Sequence, residues 1–210
     1  MRKYLFILTI VLLLSVTTIP VFSEDNAEDF QPITVGMTLN FVQIVEHIVQ
    51  RDKAWQVKVV KESFPESLTY TWTKQERNGV GSGTRILTDL IYSRDFNPLY
   101  RNNESKATDD TAPWISTDVL KELREKGVSS KFREGGAGAI NWATIDLVVK
   151  EKVIYPLTIN GKAVAIHAFK LNKGMTVWNN LKNPLIIEYE PLGIPLFTSI
   201  SGWKLNSIDY

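Results

Sequence analysis

The chain contains no cysteine. Disulfides, thiolate nucleophiles, thiolate metal sites and cysteine-linked lipid anchors are therefore excluded. A domain without disulfides must rest on its apolar core, and an exported chain of this kind fits a bacterial envelope or secreted origin. Histidine is almost as scarce. His47 and His167 are far apart, and both sit in apolar segments. A lone histidine in such a setting reads as a hydrogen-bonded sheet residue rather than a ligand, so no metal site is assigned. Asp109-Asp110 lacks the further ligands of a calcium loop.

Charge of one sign is also missing. There are 24 Lys and Arg against 23 Asp and Glu, a formal net charge of +1. That balance argues against a nucleic-acid partner and against electrostatic attachment to anionic lipid. Enzyme signatures are absent as well. No G-x-S-x-G elbow is present. Gly79-Val80-Gly81-Ser82-Gly83 lacks the GxxxxGK[ST] spacing of a phosphate loop and reads as a hairpin tip or bulge. Gly135-Gly136-Ala137-Gly138 reads as a flexible turn. No catalytic residue and no cofactor are assigned.

What the chain does have begins at its first residue. Met1-Arg2-Lys3 gives a short basic start, and Tyr4 to Val16 is almost unbroken apolar sequence. Pro20 breaks the run, and Val21-Phe22-Ser23 offers a cleavage site before Glu24. This pattern predicts a secretory signal peptide over residues 1–23. The run is too short for a comfortable membrane span, which needs about 20 residues, so no span is expected after cleavage. Removing residues 1–23 takes away Arg2 and Lys3 and leaves 22 basic against 23 acidic side chains. The expected location is the periplasm or the extracellular space. Residues 24–33 are acidic and polar and predict a loose leader. Residues 34–210 predict one β-rich domain.

Alternation predicts most of the strands. Val35 to Val49 fits either helical or strand spacing, and its β-branched content favours a strand. Trp55, Val57 and Val59 alternate with polar residues, as do Leu68, Tyr70 and Trp72. Asn78-Gly79 and Asn160-Gly161 are two hairpin signals, because type I′ turns need positive φ at both central positions. Ile140 to Val149, Val153 to Thr158, Ala163 to Leu171, Pro184 to Glu190 and Phe197 to Ile208 read as further strands. Ser116 to Lys126 predicts the one clear amphipathic helix. Ser116 or Thr117 caps it, Val119, Leu120 and Leu123 form its apolar face, and Gly127 stops it. Ser93 to Trp114 predicts the longest irregular stretch, a binding loop or simply a mobile one. Asn103-Glu104-Ser105 in it matches the N-glycosylation pattern, as a chance match in a polar loop also would.

The fold class expected is mainly β: a curved antiparallel sheet, half-barrel-like, packed on one amphipathic helix. Six Trp, seven Tyr and nine Phe are the most suggestive constellation. Trp55, Tyr70, Trp72, Trp142, Phe169, Tyr189 and Trp203 fall on expected strands. Facing inward, they would either line an apolar cavity or pack a core.

Three stretches carry a resemblance. They are Ala112-Pro113-Trp114-Ile115-Ser116 leading into Val119-Leu120-Lys121-Glu122-Leu123, then Asn183-Pro184-Leu185-Ile186-Ile187, and the closing Gly202-Trp203-Lys204-Leu205-Asn206-Ser207-Ile208. With the signal peptide, the many strands and the single helix, the chain resembles the LolA-like, lipoprotein-carrier superfamily of periplasmic proteins. It also resembles secreted bacterial domains of similar build. That resemblance implies a highly curved sheet sheltering acyl chains. The function expected is therefore an exported, non-enzymatic protein that binds a lipid, acyl chain or other apolar or amphipathic ligand between sheet and helix. The alternative is an envelope interaction or assembly factor with a packed core, whose protein partner docks on a sheet edge or on the Ser93 to Trp114 loop. A secreted hydrolase is the remaining class.

Overall fold

The computed structural model describes residues 32–45, 53–76, 79–98, 105–135, 142–190 and 201–210. The expected signal peptide and all of the leader before Pro32 lie outside the described residues, as do His47 and Asn103.

Alternating apolar residues build the first four strands. β1 (Thr38–Val45), β2 (Lys53–Ser63), β3 (Ser67–Glu76) and β4 (Gly79–Leu87) pair antiparallel in chain order. In β2, Trp55, Val57 and Val59 are buried while Ala54, Gln56 and Lys58 face solvent. The β2–β3 register sets Val57 opposite Trp72 and Val59 opposite Tyr70, so one face of the ladder is continuously apolar. The β3–β4 hairpin is where Asn78-Gly79 predicts it, with one correction. Gly79 is already in β4, paired with Glu76, and residues 77–78 lie outside the described residues.

Two short strands occupy the stretch expected to be irregular. β5 (Asp95–Phe96) pairs parallel with β7 (Val128–Gly135), and β6 (Ser105–Thr108) pairs parallel with β4. The sheet is mainly antiparallel, as expected, and these parallel pairs make it mixed. Residues 111–117 between β6 and the helix are all buried, and Trp114 forms a bridge to Leu185. Much of the expected loop is therefore packed structure.

β8 (Trp142–Ile159) is one long strand where two were expected. Its first half pairs with β7 and its second half with β9 (Lys162–Leu171). Asn160 and Gly161 join β8 to β9 with φ of 48° and 74°, the pair of positive values that a type I′ turn requires. β10 (Met175–Trp178), β11 (Ile186–Tyr189) and β12 (Ser201–Asp209) continue the antiparallel order. β12 then pairs with β1 along one edge. Along its other edge it meets β11 at Lys204 and Trp203, and β8 at Ser207 and Ile208. The ladder from β8 through β12 thus returns to its starting strand, which a flat sheet cannot do. Four antiparallel steps leave β8 and β12 pointing the same way, so the closing pair is parallel.

The core draws on both halves of the sheet, from Leu39, Trp55 and Tyr70 to Ile166, Ile187 and Leu205. Phe96 on β5 lies 5.9 Å from Trp203 on β12, between ring centroids, and 5.2 Å from Tyr189 on β11. One end of the strand order therefore packs on its middle.

The helix α1 (Thr117–Lys126) follows its sequence closely. Ser116 Oγ accepts the Val119 N–H at 3.3 Å, and Gly127 takes the left-handed conformation with its N–H on the Leu123 carbonyl. The Thr117 and Asp118 N–H groups donate to the carbonyls of Leu90 and Ile91 at 2.9 and 3.0 Å. The helix N-terminus is thus filled by the protein's own groups. Val119, Leu120 and Leu123 are buried as expected.

Arg94 ties this helix to β7. Its guanidinium donates to Glu122 and Ser129 Oγ at 2.8 Å each, to the Ser130 carbonyl at 2.8 Å, and to Asp118 at 2.7 Å. The Arg94 hydrogen bond, helped by that from Ser129, holds the Glu122 carboxyl at a pKa of about 2 against an ordinary 4.5. A carboxylate depressed in the folded state adds stability that is complete above pH 4.5 and is lost as pH falls toward 2. Glu122→Gln is therefore expected to lower the urea midpoint at pH 7. The gap to the parent protein should close between pH 4.5 and 2. A gap that is constant with pH would show that the charge on Glu122 adds nothing.

Candidate functional site

Six of the seven aromatic candidates have described side chains, and all six are buried: Trp55, Tyr70, Trp72, Phe169, Tyr189 and Trp203. The side chain of Trp142 lies outside the described residues. The structure brings three of the six together. Trp55 stacks on Phe41 at 4.3 Å, and Trp203 lies 5.2 Å from Trp55 and 4.8 Å from Tyr189. Tyr70 packs elsewhere, against Trp114 at 5.6 Å, and donates its hydroxyl hydrogen to the Ala112 carbonyl at 2.6 Å. The Trp203 indole N–H reaches the Ile186 carbonyl at 3.1 Å. The Tyr189 hydroxyl donates to Glu134 at 2.5 Å; burial, then that carboxylate, push its pKa far up, so it stays a neutral donor. Ring contacts at these distances are those of a packed core.

The larger described cavity lies elsewhere. It is an open groove of about 390 Å³ at the N-terminal end of α1, near the small end of ligand pockets, roughly 300–1,000 Å³. Three segments distant in sequence build it, and each is fixed locally. The β2–β3 turn is tied by the Phe64 N–H, which donates to Glu62 Oε1 at 2.7 Å, and by the Glu66 N–H on the Ser63 carbonyl. That leaves Phe64 and Pro65 facing the groove.

The β10–β11 connection supplies Leu181 and Lys182. Buried Asn180 accepts the Lys182 N–H at 2.9 Å through its side chain and the Asn183 N–H at 3.1 Å through its carbonyl. Asn183 in turn accepts the Trp114 indole N–H at 2.8 Å. The third segment is Pro32-Ile33, just before β1. Ile33 is only 2 % exposed and its N–H donates to the Lys182 carbonyl. Ile33, the last residue of the expected leader, thus packs against the strands that follow.

The groove thus has an apolar lining of Ile33, Phe64, Pro65 and Leu181. Helix α1 supplies Thr117 and, one turn on, exposed Lys121. None of the six described aromatic candidates borders this groove. Sequence reasoning missed its residues. The one signal was Phe64-Pro65, an apolar pair in a turn between two alternating strands.

A second, smaller cavity of about 110 Å³ opens beside His167, Phe169 and Ile154. Ile154 is 57 % exposed, and the Lys152 ammonium stands 6.0 Å from the centre of the Phe169 ring. Among the described residues, no three His, Asp or Glu side chains gather in a way that could hold a metal ion. No helix among them is long and apolar enough to cross a membrane. Comparison with protein-family models, curated proteins and solved structures finds no match to the chain.

Proposed function

We propose that this is an exported, non-enzymatic protein that binds an apolar or amphipathic ligand in the groove between α1 and the β2–β3 turn. Export follows from the basic start and apolar run of residues 1–23. The observation that carries the binding reading is the groove itself: half-buried Phe64, Pro65 and Leu181 stay partly open to solvent beside buried Ile33. Such a surface gains by being covered. Each buried methylene contributes about 0.8 kcal/mol, and micromolar affinity requires about 8 kcal/mol. A ligand that places roughly ten methylenes in the groove is the scale expected.

Displacement of a fluorescent acyl probe tests this. Leu181→Asp sets a charge in the lining at a half-exposed position, and is expected to weaken probe binding at least tenfold while leaving the thermal midpoint within a few degrees. Unchanged probe affinity in that variant would place binding outside the groove.

A second reading, an interaction or assembly factor, draws support from β6. It is the last strand in the sheet order, and Ser105 and Ala107 on it are exposed. An extended partner peptide adding to that edge is the mode such a strand favours.

A further inference from the structure

The proposed function leaves the ligand's head group open, and the following rests on that reading. Two ammonium groups border the apolar lining. Lys121 comes from the helix and Lys182 from the β10–β11 connection, and both are exposed. Neither forms an ion pair among the described residues. Three of the acidic groups near them are otherwise engaged. Glu62, the one carboxylate lining the groove among the described residues, accepts the Phe64 N–H of its own turn. Asp118 and Glu122, on the turns of α1 that flank Lys121, are held by Arg94. The helix N-terminus cannot serve an anion, because Leu90, Ile91 and Ser116 already take its N–H groups. Among the described residues, two cations against one carboxylate leave the groove with a single net positive charge beside an apolar lining.

We infer that the groove is selective for a single-chain amphipath with a carboxylate head, a fatty-acid-like ligand, with Lys121 and Lys182 meeting the carboxylate and the chain lying along Phe64 and Leu181. A volume of about 390 Å³ suits one alkyl chain rather than two. The net charge of the groove matches a monoanion. Exposed charge pairs are individually weak, so two of them give roughly a two- to thirtyfold preference for the anionic head.

The test is calorimetric titration of the purified protein with dodecanoate, dodecanol and dodecyltrimethylammonium below their micelle concentrations. The proposal expects affinity in that order, with dodecanoate roughly two- to thirtyfold ahead of the alcohol at low salt. The lead should shrink as salt is added, since screening acts on exposed charges. In Lys121→Gln/Lys182→Gln the lead is expected to vanish while dodecanol binds as before. Both positions are exposed, so the variant is expected to fold like its parent. Equal affinity for all three heads, or a preference for the cationic one, overturns the carboxylate inference and leaves the groove reading standing. No binding of any of the three overturns both. A synthetic peptide of the chain's own acidic segment, residues 24–31, is the remaining arm. If it competes with dodecanoate through the same two lysines and binds more tightly, the groove belongs to that segment and the fatty-acid inference falls.

Discussion

Trp203→Ala is expected to remove about 3–5 kcal/mol of stability, the usual range for truncating a buried tryptophan. Trp203 is 2 % exposed and lies where one end of the strand order, β5, packs on its middle. Its ring contacts Phe41 and Trp55 from β1 and β2, Phe96 from β5, and Tyr189 from β11. Alanine leaves a void walled by four aromatic rings that cannot all collapse into it. It also strips the Ile186 carbonyl of the indole N–H that it accepts at 3.1 Å. Domains of this size have a total stability of only about 5–15 kcal/mol, so the variant should unfold at a much lower urea concentration. Phe169→Ala is the comparison, since Phe169 borders a small cavity and has room beside it. A Trp203→Ala loss under 1 kcal/mol by urea titration would mean that the ring stack does not hold the sheet closed.

The second large effect is expected at Arg85. This side chain is buried in the middle of β4 with Asp110 at 3.5 Å, the two being 2 % and 7 % exposed. Arg85 also donates to the Asn97 carbonyl at 3.0 Å, and Asp110 accepts the Thr108 hydroxyl at 2.9 Å. The pair pins the chain that leads from β6 to α1 onto the sheet. Arg85→Leu leaves the Asp110 carboxylate in a dry setting without its cation, which costs about 3–5 kcal/mol. A buried pair need not be worth that much itself, because its desolvation offsets most of the attraction. Arg85→Leu/Asp110→Leu is therefore expected to be more stable than Arg85→Leu alone, with a coupling of about 0.5–3 kcal/mol. A double variant as unstable as the sum of the two single ones would deny that the residues act as a pair.

Local rules made much of this fold legible. The Ser116 cap, the Gly127 stop and the apolar face of α1 depend on contacts within one helix, and the structure has all three. Asn160-Gly161 carries its turn in its own backbone preferences. Strands with clean alternation, such as Trp55 to Val59, announce themselves because one face is wet. β5 and β6 do not. They are two and four residues long, and their partners are parallel strands distant in sequence, so neither alternation nor a turn marks them. Arg85 was hidden for a similar reason. An arginine after a run of glycines reads as surface until Asp110 is placed beside it.

The groove was hidden most completely. Ile33 lay in what reads as a polar leader, Phe64-Pro65 in a turn and Leu181 in a connection, and nothing local says that these three meet. The aromatic strands drew attention because they are periodic. Periodicity reports burial, and burial here means core packing for the rings whose contacts are described.

The central claim, that the groove holds a single-chain amphipath, is tested most directly by native mass spectrometry of the protein exported from a bacterial host and purified without detergent. The account predicts an adduct of fatty-acid mass, retained at low collision energy, recovered by organic extraction, and absent from Leu181→Asp prepared in the same way. A bare protein mass, unchanged after incubation with single-chain carboxylates, would contradict it.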